Sequence, residues 1–315
     1  MNQSNHLKIG TRDSKLATWQ AQKVSDFLTA NHLANQLHFI KSEGDINLTT
    51  PLYEVGVQGI FTKALDIALL NNEIDIAVHS FKDVPTQLAA GLQIAAILKR
   101  DNPLDVLVFK NETTRNNVAN AINNKTTQQL PIHIATSSIR RKAQWLHAFP
   151  LSTIDNIRGN VITRIEKLHA ADWDAAIFAA AGLERLGLTE SITGPQLPLP
   201  WMLPAPAQGA MVVICRENDE QVLKACAGLH DEHTAICTHI ERDFLRALMG
   251  GCATPIGAFA AIENGIISFT GNVTAIDGKD EITVIVKTPL EQQQLVATEA
   301  ATLMVQKGIQ NIKIN

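Results

Sequence analysis

The segment at residues 74–85, IDIAVHSFKDVP, runs from an apolar stretch into His79, Ser80, Lys82 and Asp83. Residues 74–78 read as a buried strand, and Pro85 stops a helix from following directly. Groups beyond the carboxyl end of such a strand stand where open α/β sheets bind ligands. A carboxylate beside an ammonium there can do acid–base work. Taken alone, such a pair is more often a structural ion pair, and the rest of the chain is what favours the chemical reading.

Lysine outnumbers arginine sixteen to eleven overall, yet residues 135–185 hold five arginines (Arg140, Arg141, Arg158, Arg164 and Arg185) against Lys142 and Lys167. Arginine recognises carboxylate or phosphate through planar, two-pronged hydrogen bonding, so this reversal points to a ligand with several anionic groups. In ATSSIRRKAQW, Ser137 or Ser138 is the expected N-cap, with Arg140 and Arg141 in the first helical turn; IRGNVITRIEKL places Arg158 before a helix and Arg164 early in it. Arg12 and Ser14 sit at a third strand-to-helix turn, where Asp13 or Ser14 caps the helix. Backbone N–H groups and the helix dipole add to the attraction for an anion at each turn.

Four cysteines, Cys215, Cys226, Cys237 and Cys252, are too widely spaced for a zinc knuckle or a redox pair. The first three fall in strand or helix patterns and read as small buried hydrophobes. Cys252 differs: GGCATPIG puts it in a glycine-flanked loop, which exposes a thiol for nucleophilic or covalent-attachment chemistry.

These groups need a frame. Strands are expected at 6–11, 37–41, 74–78 and 92–98, with helices over 14–30 and 61–71 and an irregular, glycine-bearing loop at 42–58. RDNPLD at 100–105 reads as a crossing between domains. The strand–helix rhythm then restarts, with strands at 106–109, 132–136, 153–157 and 175–179, predicting a second mostly parallel sheet with helices on both faces. The proline-rich stretch 194–210 reads as a linker, and 210–215 as an apolar strand able to complete the first sheet. From about residue 229 the pattern becomes a long helix, strands at 258–262, 266–271 and 281–287, and a last helix. The resulting expectation is two α/β domains, 1–103 with 204–228 and 104–203, facing each other across a cleft, followed by a small α+β domain at 229–315.

Of the 315 residues, 45% are hydrophobic and 18% charged, the balance of an ordinary globular protein. The formal charge of -4 argues against a nucleic-acid binder, which would carry a basic face. The N-terminal residues show no signal-peptide core, and no segment approaches the roughly 18 apolar residues of a membrane span. A cytoplasmic protein, with no membrane or nucleic-acid partner and no metal, is expected.

Taken together, TRDSKLATWQA, KSEGD, AVHSFKDVP, ATSSIRRKAQ, IRGNVITR, AAAGLERLGL, AQGA and GGCATPIG resemble, in order and over nearly the whole chain, the porphobilinogen deaminase (hydroxymethylbilane synthase) family. The resemblance implies two domains like those of periplasmic binding proteins and a third that carries a covalent dipyrromethane cofactor. It implies head-to-tail condensation of four porphobilinogen molecules with loss of ammonia, and release of a linear tetrapyrrole. By the match, Cys252 is the thioether attachment point and Asp83 the catalytic carboxylate. Lys82, Asp83, Thr136, Ser138, Arg140, Arg141, Arg158 and Gln208 would hold the cofactor, while Arg12, Ser14, Arg158, Arg164 and Arg185 would hold substrate. A monomer is expected.

Glu43, Gln58, Ile162 and Ala207 depart from the family's pattern, which bears on loop charge and affinity and leaves Asp83, Cys252 and the arginines in place. The principal rival is a non-catalytic binding protein for a polycarboxylate, which has no use for a loop cysteine or a third domain. A thiol-dependent transferase on phosphorylated substrates is a second rival, without a glycine-rich phosphate loop to support it.

Overall fold

The computed structural model describes residues 6–41, 62–248 and 254–314. Its elements are β1 (Leu7–Thr11), α1 (Lys15–Ala30), β2 (Asn35–Phe39), α2 (Lys63–Leu70), β3 (Ile76–Ser80), β4 (Leu92–Ile97), β5 (Asp105–Phe109), α3 (Glu112–Asn123), β6 (His133–Ala135), α4 (Ile139–Ala148), β7 (Thr153–Asp155), α5 (Val161–Ala170), β8 (Ala175–Ala179) and α6 (Ala180–Arg185). They continue through α7 (Glu190–Thr193), β9 (Gln196–Pro198), β10 (Met211–Arg216), α8 (Glu220–Cys226), α9 (Glu232–Ala247), β11 (Ile256–Glu263), β12 (Ile266–Thr274), β13 (Glu281–Pro289) and α10 (Gln293–Gln306). The chain forms two compact units and passes between them at residues 101/102, 208/209 and 236/237.

The first unit is built on a five-stranded sheet ordered β2-β1-β3-β10-β4. β1 runs parallel to β2 and β3, whereas β10 is antiparallel to both β3 and β4. The run MVVICR thus completes this sheet as expected, and does so as an interior strand. Its residues are apolar because both faces are covered: Ile9, Val24, Leu28, Val78, Val213 and Cys226 share one core. Ser14 caps α1, its Oγ accepting from the Ala17 N–H at 3.3 Å.

The second unit carries a sheet of the same pattern, β7-β6-β8-β5-β9, and a separate antiparallel sheet, β11-β12-β13. Here β6 is parallel to β7 and β8, while β5 is antiparallel to β8 and β9. The expectation of mostly parallel sheets is therefore corrected, since half the pairings in each are antiparallel. The reversed interior strands, β5 and β10, are those that follow the chain's passage from one unit to the other, so each enters its sheet from the opposite end. Both faces of the second sheet are packed, one around stacked Trp145 and Phe149 (centroids 4.3 Å apart) and the other around Val108, Ile165 and Phe178. The stretch at 194–210 is also more than a linker, because β9 pairs with β5.

In the antiparallel module, Phe269 of β12 meets Phe244 of α9 edge-on at 5.1 Å, and α10 lies against β13. The two α/β sheets and the small α+β module agree with the expected fold class. Cys215, Cys226 and Cys237 are buried thiols as expected; burial pushes Cys215 up to about 11 and Cys226 up to about 12, leaving them protonated and inert. No helix among the described residues is long and apolar enough to cross a membrane.

Of the positions that depart from the family pattern, Ile162 is half-buried in the first turn of α5, and Glu43 and Gln58 lie outside the described residues. Ala207 is fully buried with a φ of 62, in the left-handed region, and its N–H donates to Glu241 Oε2 at 2.7 Å. A Cβ in that region costs roughly 1–2 kcal/mol, and glycine returns part of this through its freer unfolded chain. Ala207→Gly is expected to raise stability by about 0.5–1 kcal/mol, read from the midpoint of denaturant unfolding.

Candidate active site

In the first unit, the carboxyl ends of parallel neighbours β1 and β3 set the site. Arg12 directly follows β1, and Ser14 begins α1. β3 delivers His79 and Ser80, and one turn of 3-10 helix, Phe81–Asp83, then carries Lys82 and Asp83 before Pro85. That turn is pinned from below: Phe81 and Val84 are buried, the Phe81 N–H donates to Ala210 O at 3.0 Å, and the Val84 N–H to Phe81 O at 3.2 Å. Alternation around the turn leaves Lys82 half-buried and Asp83 exposed. The strand thus lies two residues later than the expected 74–78 and takes in His79 and Ser80, while Lys82 and Asp83 follow it on a short helical turn that the proline ends rather than prevents. Arg12, Ser14, Val78, His79 and Ser80 line a small recess of about 50 Å³ at the amino end of α1.

In the second unit, the carboxyl ends of β6, β7 and β8 lie beside the start of the reversed strand β5, as the pairing of Asp105 with Ala179 shows. Ser138 is the N-cap of α4, its Oγ accepting from the Arg141 N–H at 3.4 Å, and its own N–H donates to Thr136 Oγ1 at 3.2 Å. This cap turns Arg140 and Arg141 inward, where both are buried.

What they meet there is Asp105, with 0% of its surface exposed. Arg140 Nη2 lies 2.8 Å from Asp105 Oδ2; Arg141 reaches Oδ1 through Nε at 3.1 Å and Nη2 at 2.7 Å. Gln208 Nε2 donates to Oδ1 at 2.9 Å and to Pro103 O at 2.8 Å. The guanidinium groups are oriented further by carbonyls, Arg140 Nη1 donating to Leu203 O and Arg141 Nη1 to Ile177 O. Burial and the adjacent Arg141 pull the pKa of Arg140 down, and Asp105 offsets this. Two cations facing one carboxylate leave one net positive charge for an anionic ligand.

Asp105, which fell in the RDNPLD crossing, was not among the expected site residues; its signal was an acidic residue at the mouth of an apolar strand. Arg140, Arg141, Gln208, Thr136 and Ser138, which the resemblance names as ligand contacts, lie near one another in the structure. In the structure part of their hydrogen-bonding capacity is committed to Asp105 and backbone carbonyls.

Arg158 and Arg164 flank the second anion-seeking turn. Asn160 caps α5, accepting from the Thr163 N–H at 3.0 Å, and Arg164 Nε donates to Gly159 O at 2.7 Å. Arg158 Nη1 is buried and finds no hydrogen-bond partner. Buried polar atoms are almost always paired, so an unpaired guanidinium N–H fits a carboxylate-bearing group supplied from outside the chain. Arg185 is buried on the last turn of α6. Cys252 lies outside the described residues.

Known proteins bear on both units. Residues 7–224 match the family model described as porphobilinogen deaminase, dipyromethane cofactor binding domain, and residues 235–306 match the porphobilinogen deaminase C-terminal domain. The porphobilinogen deaminase of Syntrophotalea carbinolica is 39% identical over 98% of this chain and 95% of its own length; that of Listeria monocytogenes is 42% identical over 86% of this chain and 85% of its own. The methionine-binding protein MetQ aligns at 14% identity with a TM-score of 0.42, covering 74% of this chain and 93% of MetQ, too distant to bear on function. With both family segments present in order and relatives matched almost end to end, the chain belongs to the porphobilinogen deaminase family.

Proposed function

We propose that this chain acts as a hydroxymethylbilane synthase with Asp83 as its catalytic carboxylate and Cys252 as the attachment point of its dipyrromethane cofactor. The family's activity and cofactor are those of a porphobilinogen deaminase. The observation that carries the residue assignment is the placement of Asp83, exposed on a rigidly anchored turn at a strand's carboxyl end, with Lys82 beside it.

Porphobilinogen loses its aminomethyl nitrogen as ammonia, and positive charge appears on the substrate's pyrrole N–H. Asp83 offsets that charge, then accepts the proton released from the ring carbon that attacks the methylene group. The covalent cofactor supplies the first nucleophilic pyrrole ring. Each pyrrole brings an acetate and a propionate, so the ligand's carboxylates multiply as units are joined. Arg140, Arg141 and Arg158, with Lys82, Thr136, Ser138 and Gln208, are assigned to the cofactor's carboxylates, and Arg158 also to substrate. Arg12, Ser14, Arg164 and Arg185 are assigned to those of the substrate, and the charge-assisted, forked hydrogen bonds of arginine suit that task. Four units joined and released by hydrolysis, a monomeric cytoplasmic enzyme, and three domains at 1–103 with 204–228, 104–203 and 229–315 complete the reading; the three separate sheets support that division.

The test is the denatured mass of the purified protein beside Cys252→Ser. An excess over the sequence mass equal to two porphobilinogen units less two ammonia, absent from the variant, is the expected result. Wild-type protein that gains no such mass even after incubation with porphobilinogen would remove Cys252 from this role.

A further inference from the structure

His79 has no role in the reading above, yet its surroundings give it one. It is 6% exposed, and its Nε2 is buried without a hydrogen-bond partner. A buried nitrogen left this way destabilises the fold, a cost that an apolar residue among the apolar neighbours of β3 would avoid. The ring lines the same recess as Arg12 and Ser14, at the amino end of the sixteen-residue helix α1. Three features that favour an anion therefore converge there: a guanidinium, a helix amino terminus, and an imidazole with an unmet hydrogen bond. Burial, and then the charge of Arg12, hold the imidazole down to about 3, so it stays neutral and does not repel the guanidinium.

We propose that His79 is a further substrate-binding residue, whose neutral ring hydrogen-bonds a carboxylate of porphobilinogen drawn into this recess by Arg12 and the amino end of α1. The inference rests on the assignment of Arg12 and Ser14 to substrate carboxylates. A carboxylate suits the recess because it offers one oxygen to the guanidinium and another to the ring, both of which line it.

The test is steady-state kinetics and thermal unfolding of cofactor-loaded wild type, His79→Leu and His79→Gln. His79→Leu is expected to unfold at or above the wild-type temperature, because it removes the unpaired nitrogen, while its KM for porphobilinogen rises about tenfold or more and kcat falls by a smaller factor. His79→Gln, which restores an N–H near the same position, is expected to recover most of the KM. A purely structural histidine would show the reverse, lower stability with an unaltered KM. Should the leucine variant misfold, His79→Met, whose flexible side chain fills irregular space, carries the same expectation. A KM within twofold of wild type in the folded apolar variant overturns the assignment of His79. A wild type that neither binds nor turns over porphobilinogen overturns the underlying reading and this inference with it.

Discussion

Asp83→Asn is expected to fold normally and to turn over porphobilinogen about 10²–10⁴-fold more slowly than wild type, the usual loss when a positioned acid–base group is removed. The side chain is exposed and takes part in none of the hydrogen bonds or ion pairs among the described residues. Its neighbours on the turn, Phe81 and Val84, supply the anchoring burial. Losing the charge therefore costs the fold little, and the amide keeps the shape. What it cannot do is offset a cation on the substrate's pyrrole nitrogen or take up a ring proton. Ammonia release measured under single-turnover conditions separates chemistry from product release; a rate within tenfold of wild type would remove Asp83 from the mechanism.

The second large effect is on stability. Asp105→Ala is expected to lower the unfolding free energy by about 3–5 kcal/mol, because it strips the counter-charge from two buried arginines. Three hydrogen bonds from Arg141 and Gln208 end on Oδ1 of this carboxylate, and Arg140 forms an ion pair with Oδ2. Without it, Arg140 and Arg141 repel one another in a dry environment and Gln208 loses an acceptor. Pairing the change with Arg141→Met should recover part of the loss, giving a coupling energy of the order measured for contacting buried charges, about 0.5–3 kcal/mol. Denaturant unfolding of the two single variants and the double variant measures it directly. A loss under 1 kcal/mol in Asp105→Ala would mean that the two guanidinium groups are held by their backbone carbonyls alone. Because the same carboxylate fixes where those groups point, the variant should also load its cofactor poorly.

The arginines and the serine that caps their helix were legible in the sequence, and the wiring between them was not. Arg140 and Arg141 announce anion recognition through residue type and their place after an N-cap serine, which is local information. That they first answer to Asp105 depends on β5 running antiparallel to β8, a long-range fact that no local pattern encodes. His79 was visible as a member of the polar cluster, but only the absence of a partner for its Nε2 marks it out. The strands were most legible where apolar runs are long, as in β10; β3 begins two residues after the expected 74. They were shifted or missed where pairing rather than composition makes the strand: β2 begins at Asn35, ahead of the expected 37, and β9, three residues ending in proline, read as linker. RDNPLD at 100–105 is polar apart from Pro103 and Leu104, and the passage between the two units at 101/102 falls within it.

The position of β10 has a consequence for how the molecule is made. β3 and β4 emerge from the ribosome early, but the strand that joins them is separated from β4 by the whole of residues 98–210. At about 5–20 residues per second, it arrives on the order of ten seconds later. During that interval the first sheet exists only as parts, with β3 and β4 each presenting an unpaired edge of the kind that templates association with another chain. The second α/β sheet suffers no such delay, since β5 to β9 are contiguous in the chain. The order of assembly is thus the reverse of the order of synthesis: the later sheet can close first, and the N-terminal one must wait, exposed to chaperones and to neighbouring nascent chains, until translation has passed Arg216.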